Sequence, residues 1–386
     1  MKTIQEHLAV KKTDRDLAWI KSALQAAIEL EHSTLPLYLS AMLSLDTQNY
    51  TTYNLIRSII MEEMVHMAID CNMLSILGGR PNIKTISPTF PGKGLPGGAE
   101  PDVEAVVAKF SKKQLLNFMR IECPVFLLNP KFKTEKYASI GTFYAAIKAA
   151  IQDNAKIVEA AMKAGGASIQ VGDDIGFTTF KYPVKGNPIK QLVAGINEIT
   201  EQGEGTGTGD LLAGNGSQDE TSHYLRFAEI FYGASYTVPT KKIKLTAKTL
   251  PSFFKGLKNP APEVVNSLVV PSDGYAALLK LDPNGKEVEK GLLAFDAAYT
   301  GIMDNLDGMW NGLEKQQWPT FGEAVGNMSK LRPINLVSIK PHQIPDNLIK
   351  QLPKLYPTEY KLMAKYTDLK KPVFYGPRFF NLNVKK

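Results

Sequence analysis

Cysteine is scarce in this sequence of 386 residues, and the scarcity excludes several kinds of protein. Cys71 and Cys123 are the only cysteines, and they do not form a CxxC pair. Two cysteines are too few for a disulfide scaffold and suit a reducing compartment. The sequence also lacks the run of about 20 apolar residues that a membrane span needs, and its N-terminus lacks the apolar centre of a signal peptide. We therefore expect a soluble, cytoplasmic protein that does not bind a membrane.

Basic residues outnumber acidic ones, but the excess is not concentrated in one place. The chain has 45 lysines and arginines against 38 aspartates and glutamates, which gives a formal net charge of +7. The lysines are scattered and no recognition motif accompanies them, so we expect no nucleic-acid partner. The glycine-rich stretch "EQGEGTGTGDLLAGNGS" lacks the GK[ST] of a phosphate-binding loop, and no clear strand precedes it. Nucleotide binding is therefore disfavoured.

Apolar residues recur at helical spacing along most of the chain. The pattern predicts helices at about 14–45, 52–77, 111–122, 141–152, 188–202 and 219–233, and two more around 292–310 and 321–331. Residues 80–101 are rich in proline and glycine and predict a long crossover, whereas residues 164–186 look β-like. The prediction is a mainly α fold, a helical bundle with long crossover insertions and an additional C-terminal helical region.

The stretch "MEEMVHM", residues 61–67, places two glutamates and a histidine inside an otherwise apolar helix. Glu63 and His66 fall on the apolar stripe of that helix, whereas Glu62 lies about 100° around it, where solvent or a salt bridge could satisfy it. A buried carboxylate without a partner is costly, so Glu63 requires a cation, a proton or a hydrogen-bond network. Because Glu63 and His66 lie one turn apart, they could bind the same ion.

Inward carboxylates occur on three other predicted helices. Glu31 and Glu122 each lie on an apolar stripe, and "DETSHYLRFAEIFYG" carries a second E-x-x-H, formed by Glu220 and His223. Taken singly, each E-x-x-H is explained as well by a helical ion pair or a satisfied core histidine as by a metal site. Two such pairs with two lone glutamates together fit the di-metal carboxylate bundle. Oxygen-rich donors with one imidazole per metal favour iron or manganese over structural zinc.

Two neighbours of these residues receive a structural interpretation. His32 follows Glu31 and could pair with Glu29, but both lie off the apolar stripe, so we expect a surface pair. Cys123, beside Glu122, is interpreted as a small core residue and not as a thiolate ligand.

Five motifs occur in the order found in ferritin-like proteins of the iminophenylpyruvate dimer synthase type, a group that includes part of the violacein-pathway enzyme. They are "IELEHSTLPLYLSAM", "MEEMVHMAIDCNMLSILGG", "FMRIECP", "TEQGEG" and "SHYLRFAEI". The sequence resembles this family over about residues 15–235, and the two helices near the C-terminus continue the resemblance. It implies a ferritin-like four-helix bundle domain at 1–235, with a connector and C-terminal helices at 236–386 packing on it.

Carried over position by position, the resemblance implies that one set of residues binds the metals: Glu31, Glu63, His66, Glu122, Glu204 and His223. Periodicity alone leaves Glu198, Glu201 and Glu204 undecided, although Glu204 is nearest to the apolar side of its helix. Glu220 completes the second E-x-x-H, so Glu204 and Glu220 both remain candidates for that carboxylate.

The resemblance implies an oxidative enzyme with a dinuclear iron cofactor, which uses dioxygen on an amino-acid-derived or peptide substrate in natural-product biosynthesis. Imine dimerisation is one candidate reaction. Manganese is an alternative metal, and the sequence leaves the participation of haem open. A metal-binding module without an organic substrate, or a purely structural helical protein, are the competing functions. The expected state is a monomer or a small homo-oligomer.

Overall fold

The computed structural model describes residues 2–45, 50–124, 127, 137–165, 168–176, 181–182, 186–203, 221–237, 246 and 248–384. Fourteen α-helices are found within these residues. They are α1 (Ile4–Ala9), α2 (Leu17–Leu43), α3 (Tyr50–Ile76), α4 (Lys112–Ile121), α5 (Ile140–Asp153), α6 (Ala155–Ala164), α7 (Pro188–Gly203), α8 (His223–Tyr232), α9 (Ala276–Leu279), α10 (Gly285–Asn311), α11 (Gln317–Ile334), α12 (Asp346–Ile349), α13 (Leu352–Leu355) and α14 (Tyr360–Tyr366). The fold is therefore mainly helical, as predicted.

The strands in the described part of the chain are short and form two antiparallel pairs. They are β1 (Gly92–Leu95), β2 (Ala99–Ala105), β3 (Ala234–Tyr236) and β4 (Phe254–Lys258), with β1 paired to β2 and β3 to β4. The first pair begins inside the predicted crossover at 80–101 and extends beyond it to Ala105, and the proline- and glycine-rich sequence gave no strand signal there. Gly97 and Gly98, in the turn between these strands, have φ of 80° and 79°, a conformation that glycine adopts without strain.

The two longest helices of the N-terminal region, α2 and α3, pack along each other. Helix α2 begins after Asp16, whose side chain accepts a hydrogen bond from the backbone N–H of Trp19 at 2.9 Å. It continues through Pro36 to Leu43. Helix α3 ends where Gly78 takes a φ of 77°, as predicted from "GGRP". The short helices α4 and α8 pack together, and α8 lies against α3.

The prediction of a β-like segment at 164–186 is wrong for the residues of this range that the structure describes, because none of them forms a strand. The side-chain amide of Asn72 donates to the carbonyl of Val171 at 2.6 Å and accepts from its N–H at 2.9 Å. Gln170 pairs in the same way with the backbone of Tyr182. Side-chain amides therefore satisfy backbone groups that a neighbouring strand would otherwise bind.

The C-terminal region is joined to the N-terminal helices by buried and partly buried polar contacts. Trp310 of α10 donates its indole N–H to Asn72 of α3 at 2.8 Å, and Asp307 accepts from the backbone N–H of Ile83 at 2.9 Å. In the tail, Arg378 forms a buried ion pair with Asp296 of α10 at 2.7 Å. The division into domains at residue 235 stays a prediction. No helix within the described residues is long and apolar enough to cross a membrane.

The expected surface position of His32 is wrong. The side chain is only 1% exposed, and its Nε2 lies 2.8 Å from the hydroxyl of Tyr299 on α10. Burial lowers the pKa of His32 from 6.5 to about 4. The sequence pattern missed this position because the apolar surface that covers it comes from a helix more than 260 residues away.

This burial predicts a pH dependence of stability in metal-free protein. Between pH 6.5 and 4 the unfolded chain binds a proton at His32 that the folded chain does not, so the stabilisation is present above pH 6.5 and is lost as the pH falls to 4. His32→Gln should remove about 2 kcal/mol of the decrease in unfolding free energy between pH 7 and 5. Urea unfolding of wild type and His32→Gln at pH 7 and pH 5 measures this difference in unfolding free energy.

Tyr299→Phe is the matched control, since it removes the hydroxyl partner but leaves His32 buried. It should lower stability at both pH values and keep the acid sensitivity of the wild type. Equal pH profiles for wild type and His32→Gln would contradict the prediction.

Candidate metal centre

Four helices bring five of the predicted ligands to one place. Glu31 comes from α2, Glu63 and His66 from α3, Glu122 from the residue that caps the C-terminus of α4, and His223 from the first residue of α8. All five are at most 5% exposed. Three carboxylates and two imidazoles therefore share a buried site.

The ligand atoms form two groups, and within each group they lie within 4.8 Å of one another. One group is Glu31, Glu63 and His66, and the other is Glu63, Glu122 and His223. Glu63 belongs to both. Two metal ions could each receive two carboxylate oxygens and one imidazole nitrogen, with Glu63 between them.

Both imidazoles present the same nitrogen to the carboxylates. His66 Nδ1 lies 3.5 Å from Glu31 Oε2 and 3.9 Å from Glu63 Oε1, and His223 Nδ1 lies 2.8 Å from Glu63 Oε1 and 3.5 Å from Glu122 Oε2. His223 Nδ1 is fully buried and has no partner with hydrogen-bond geometry among the described residues. A buried nitrogen aimed at carboxylates without hydrogen-bonding to them fits a metal ligand.

The other nitrogen of each ring is held from outside. Gln202 Oε1 lies 2.8 Å from His66 Nε2, and Glu62 Oε2 lies 2.9 Å from His223 Nε2. Glu62 also pairs with Arg226 of α8. Acceptors at Nε2 place the ring hydrogen there and leave the lone pair of Nδ1 free to bind a metal.

Each carboxylate has one oxygen fixed by a hydroxyl. Tyr144 donates to Glu31 Oε1 at 2.5 Å, Tyr38 donates to Glu122 Oε1 at 2.5 Å, and Thr34 donates to Glu63 Oε2 at 2.6 Å. In every case the other oxygen faces a histidine. The hydroxyls thereby orient three carboxylates toward one centre.

The pKa values of the ligands are shifted by their burial and by their mutual charges. Burial, and next the charge of Glu122, raise the pKa of Glu63 from 4.5 to about 7. Burial lowers the pKa of both histidines, but the neighbouring carboxylates outweigh it, so the pKa of His66 is raised and that of His223 lies well above 6.5. In metal-free protein the cluster therefore holds protons where metal ions would supply positive charge.

A cavity of about 20 Å³ borders the ligands. Besides the ligands, its walls are Ile121, Ile140, Tyr144, Ile199, Thr200 and Gly203. A Cβ atom on Gly203 would lie 3.3 Å from Glu122 Oε2, so a side chain there would crowd the carboxylate. The cavity has room for about one molecule the size of water, and the donor set beside it fits iron or manganese.

Two predicted ligands are not placed. Glu204 and Glu220 lie outside the described residues, and the choice between them stays open. The predicted helix at 219–233 begins only at His223, because Ser222 caps it with φ −55° and ψ 157°. The prediction that residues 221 and 222 are helical is therefore wrong, whereas the pairing of Glu220 with His223 stays a prediction.

Sequence reasoning missed the residues that hold the ligands. Thr34 and Tyr38 lie three and seven residues after Glu31, so helical spacing could have placed them on its face. Tyr144, Gln202 and Arg226 lie on other helices, and no sequence pattern joins them to their partners. For Glu62 the sequence predicted either exposure to solvent or a salt bridge. In the structure it forms an ion pair with Arg226.

Comparisons with known proteins agree with this architecture. Residues 24–232 match the ferritin-like family model. A crystal structure of a ferritin-like protein from Caulobacter vibrioides covers 82% of this chain and 95% of its own, at 18% identity and a TM-score of 0.53, a likeness that shows the fold alone. No curated protein matches the sequence. The predicted ferritin-like fold is confirmed, and the chain belongs to the ferritin-like family.

Proposed function

We propose that this protein is a di-iron oxidative enzyme that uses dioxygen on an amino-acid-derived or peptide substrate, with a role in natural-product biosynthesis. The observation that carries the proposal is Glu63, which belongs to two ligand groups of two carboxylates and one imidazole. A carboxylate between two such groups suits a pair of ions better than one. The substrate class and the iminophenylpyruvate dimer synthase type are supported by the motif resemblance, which makes imine dimerisation one candidate reaction.

The residues would hold the metals as follows. One ion would be bound by Glu31, Glu63 and His66, and the other by Glu63, Glu122 and His223. Carboxylate oxygens with imidazole suit iron, and the same donors accept manganese. When bound, the iron pair supplies the electrons and the open positions with which dioxygen is reduced.

The protein's own part is to orient ligands and exclude water. Tyr38, Tyr144 and Thr34 fix the carboxylates through hydrogen bonds of 2.5 to 2.6 Å. Isoleucines at 121, 140 and 199 line the cavity beside them, so the space next to the ligands is both small and partly apolar. A volume of about 20 Å³ has room for only about one small molecule beside the ligands, so bulk water does not fill this space.

A structural ion-pair network is the competing interpretation, and the charge balance disfavours it. Three carboxylates face two imidazoles, and the pKa of Glu63 is raised to about 7. A site that serves only stability gains nothing from a buried carboxylate that binds a proton near neutral pH. A metal-handling module without organic substrate shares the same ligands and is distinguished by the measurements below.

Metal content tests the ligand assignment. Wild-type protein expressed with iron or manganese should contain about two equivalents of metal per chain. Glu63→Ala should lose both, because Glu63 serves both groups, whereas His66→Ala and His223→Ala should each lose about one. Glu29→Ala, on the same helix as Glu31, should keep two. Folded wild type without stoichiometric metal would return the cluster to a structural role.

Oxygen consumption tests the chemistry. Iron-loaded protein should consume dioxygen faster when a substrate from a panel of amino-acid-derived compounds is present, and Glu63→Ala should lose this activity more than about 100-fold. Dioxygen consumption at the same rate with and without every compound of the panel would favour a metal-handling protein without an organic substrate. Sizing supplies a second criterion, since a monomer or small oligomer argues against a storage cage.

Metal affinity should depend on pH with a defined sign. At pH 6 to 7 metal must displace protons from Glu63, whose pKa is about 7, and from His66 and His223, whose pKa values are raised. The apparent association constant should therefore rise with pH, by about tenfold per unit for each proton released. Calorimetric titration with Mn(II) in buffers of different ionisation enthalpy measures the release. A constant free of pH dependence between 6 and 8 would contradict the ligand set.

A further inference from the structure

The two histidines are held by chemically different partners. His223 Nε2 lies 2.9 Å from the carboxylate of Glu62, whereas His66 Nε2 lies 2.8 Å from the amide oxygen of Gln202. Among the described residues the two ligand groups are otherwise alike, because each has Glu63, one further glutamate and one imidazole whose Nδ1 faces the carboxylates. In the part of the chain that the structure describes, the difference between the groups therefore lies in the partners of the two Nε2 atoms.

The acceptor behind an imidazole changes how strongly the ring binds a metal. A carboxylate draws the Nε2 hydrogen more strongly than an amide does, which increases electron density at Nδ1. Outer partners of this kind change metal affinity by about 10- to 100-fold. Two positions with the same inner ligands would then differ in affinity because of Glu62 and Gln202.

The carboxylate of Glu62 is fixed in place. Arg226 donates to Glu62 from one terminal nitrogen, to Ser58 Oγ from the other at 2.9 Å, and to the carbonyl of Thr221 from Nε. Thr221 and Ser222 directly precede His223, so the same arginine ties the start of α8 to α3. Glu62 is therefore bound as an ion to a guanidinium that cannot turn away without breaking three hydrogen bonds.

We propose that the two metal positions are unequal, and that Glu62 and Gln202 set the difference. The position formed by Glu63, Glu122 and His223, the Glu122 position, fills first and binds metal more tightly. The position formed by Glu31, Glu63 and His66, the Glu31 position, fills second and loses metal first. This inference rests on the proposed di-metal function and adds an order of filling to it.

Calorimetric titration of metal-free protein with Mn(II) tests the order. Wild type should bind two equivalents in two steps that differ at least about tenfold in dissociation constant. His66→Ala should keep only the tighter step, and His223→Ala only the weaker one. These two variants assign each step to a position independently of the outer residues.

Substitution of the outer residues then tests the cause. Glu62→Gln should weaken the tighter step by about 10- to 100-fold and bring the two steps together. Gln202→Glu should strengthen the weaker step, a gain that a poorly folded variant cannot imitate. Circular dichroism of Glu62→Gln checks that loss of the Arg226 pair has not unfolded α8.

Two variants control for charge alone. Glu198→Gln removes one negative charge on α7, close to His66, and Asn197→Asp adds one beside it, but neither side chain bonds to either imidazole in the structure. Both should leave the separation between the two steps unchanged. If Asn197→Asp strengthens the weaker step as Gln202→Glu does, the negative charge near His66 and not the hydrogen bond sets the affinity, and the inference is overturned.

The remaining outcomes separate the inference from the proposed function. Two equal steps in wild type, or loss of the weaker step in His223→Ala, would overturn the order of filling and leave the di-metal site standing. Absence of stoichiometric binding by folded wild type would instead overturn the proposed function itself.

Discussion

Three carboxylates are buried within a few ångströms of one another, and this like-charge contact is the constraint to which the surrounding structure responds. Glu31, Glu63 and Glu122 are each at most 5% exposed, so water does little to screen them. Among the described residues, two nearby imidazoles serve as counter-charges, and burial with the charge of Glu122 raises the pKa of Glu63 to about 7. A dinuclear metal centre would remove the conflict, because two divalent ions bring more positive charge than two protonated rings.

The hydroxyls around the cluster explain how the carboxylates stay apart in a usable geometry. Thr34 and Tyr38 lie on α2 and Tyr144 lies on α5. Each hydroxyl donates a hydrogen bond to one oxygen of a different carboxylate. The hydroxyl oxygen of Tyr144 also lies 2.7 Å from Asp70 Oδ2, and this contact extends the network one turn beyond His66 on α3. Because one oxygen of each glutamate is occupied, the free oxygens converge and the side chains need little rearrangement to bind metal.

The sequence alone predicted which faces of the long helices are buried. It did not predict which residues of other helices contact those faces. Helical spacing predicted α2 and α3 to within three residues and put Glu31, Glu63 and His66 on buried faces, because burial there follows a regular period. It failed at residues 221 and 222, which it placed inside a helix, whereas Ser222 caps α8 and the helix begins at His223, since capping competes locally with continuation. Glu62, Gln202 and Arg226 meet only in the folded chain, and no periodicity within one helix encodes a contact between helices.

The wrong interpretation of His32 shows why the C-terminal helices matter for the metal centre. Glu31 and His32 are consecutive on α2, so their side chains point about 100° apart. Glu31 faces the other carboxylates, whereas His32 is buried on a different side against Tyr299 of α10. Rotation of α2 about its axis would move Glu31 away from His66 and pull His32 out of its contact at the same time. The C-terminal region thus fixes the rotation of a ligand-bearing helix, although none of its residues belongs to either ligand group.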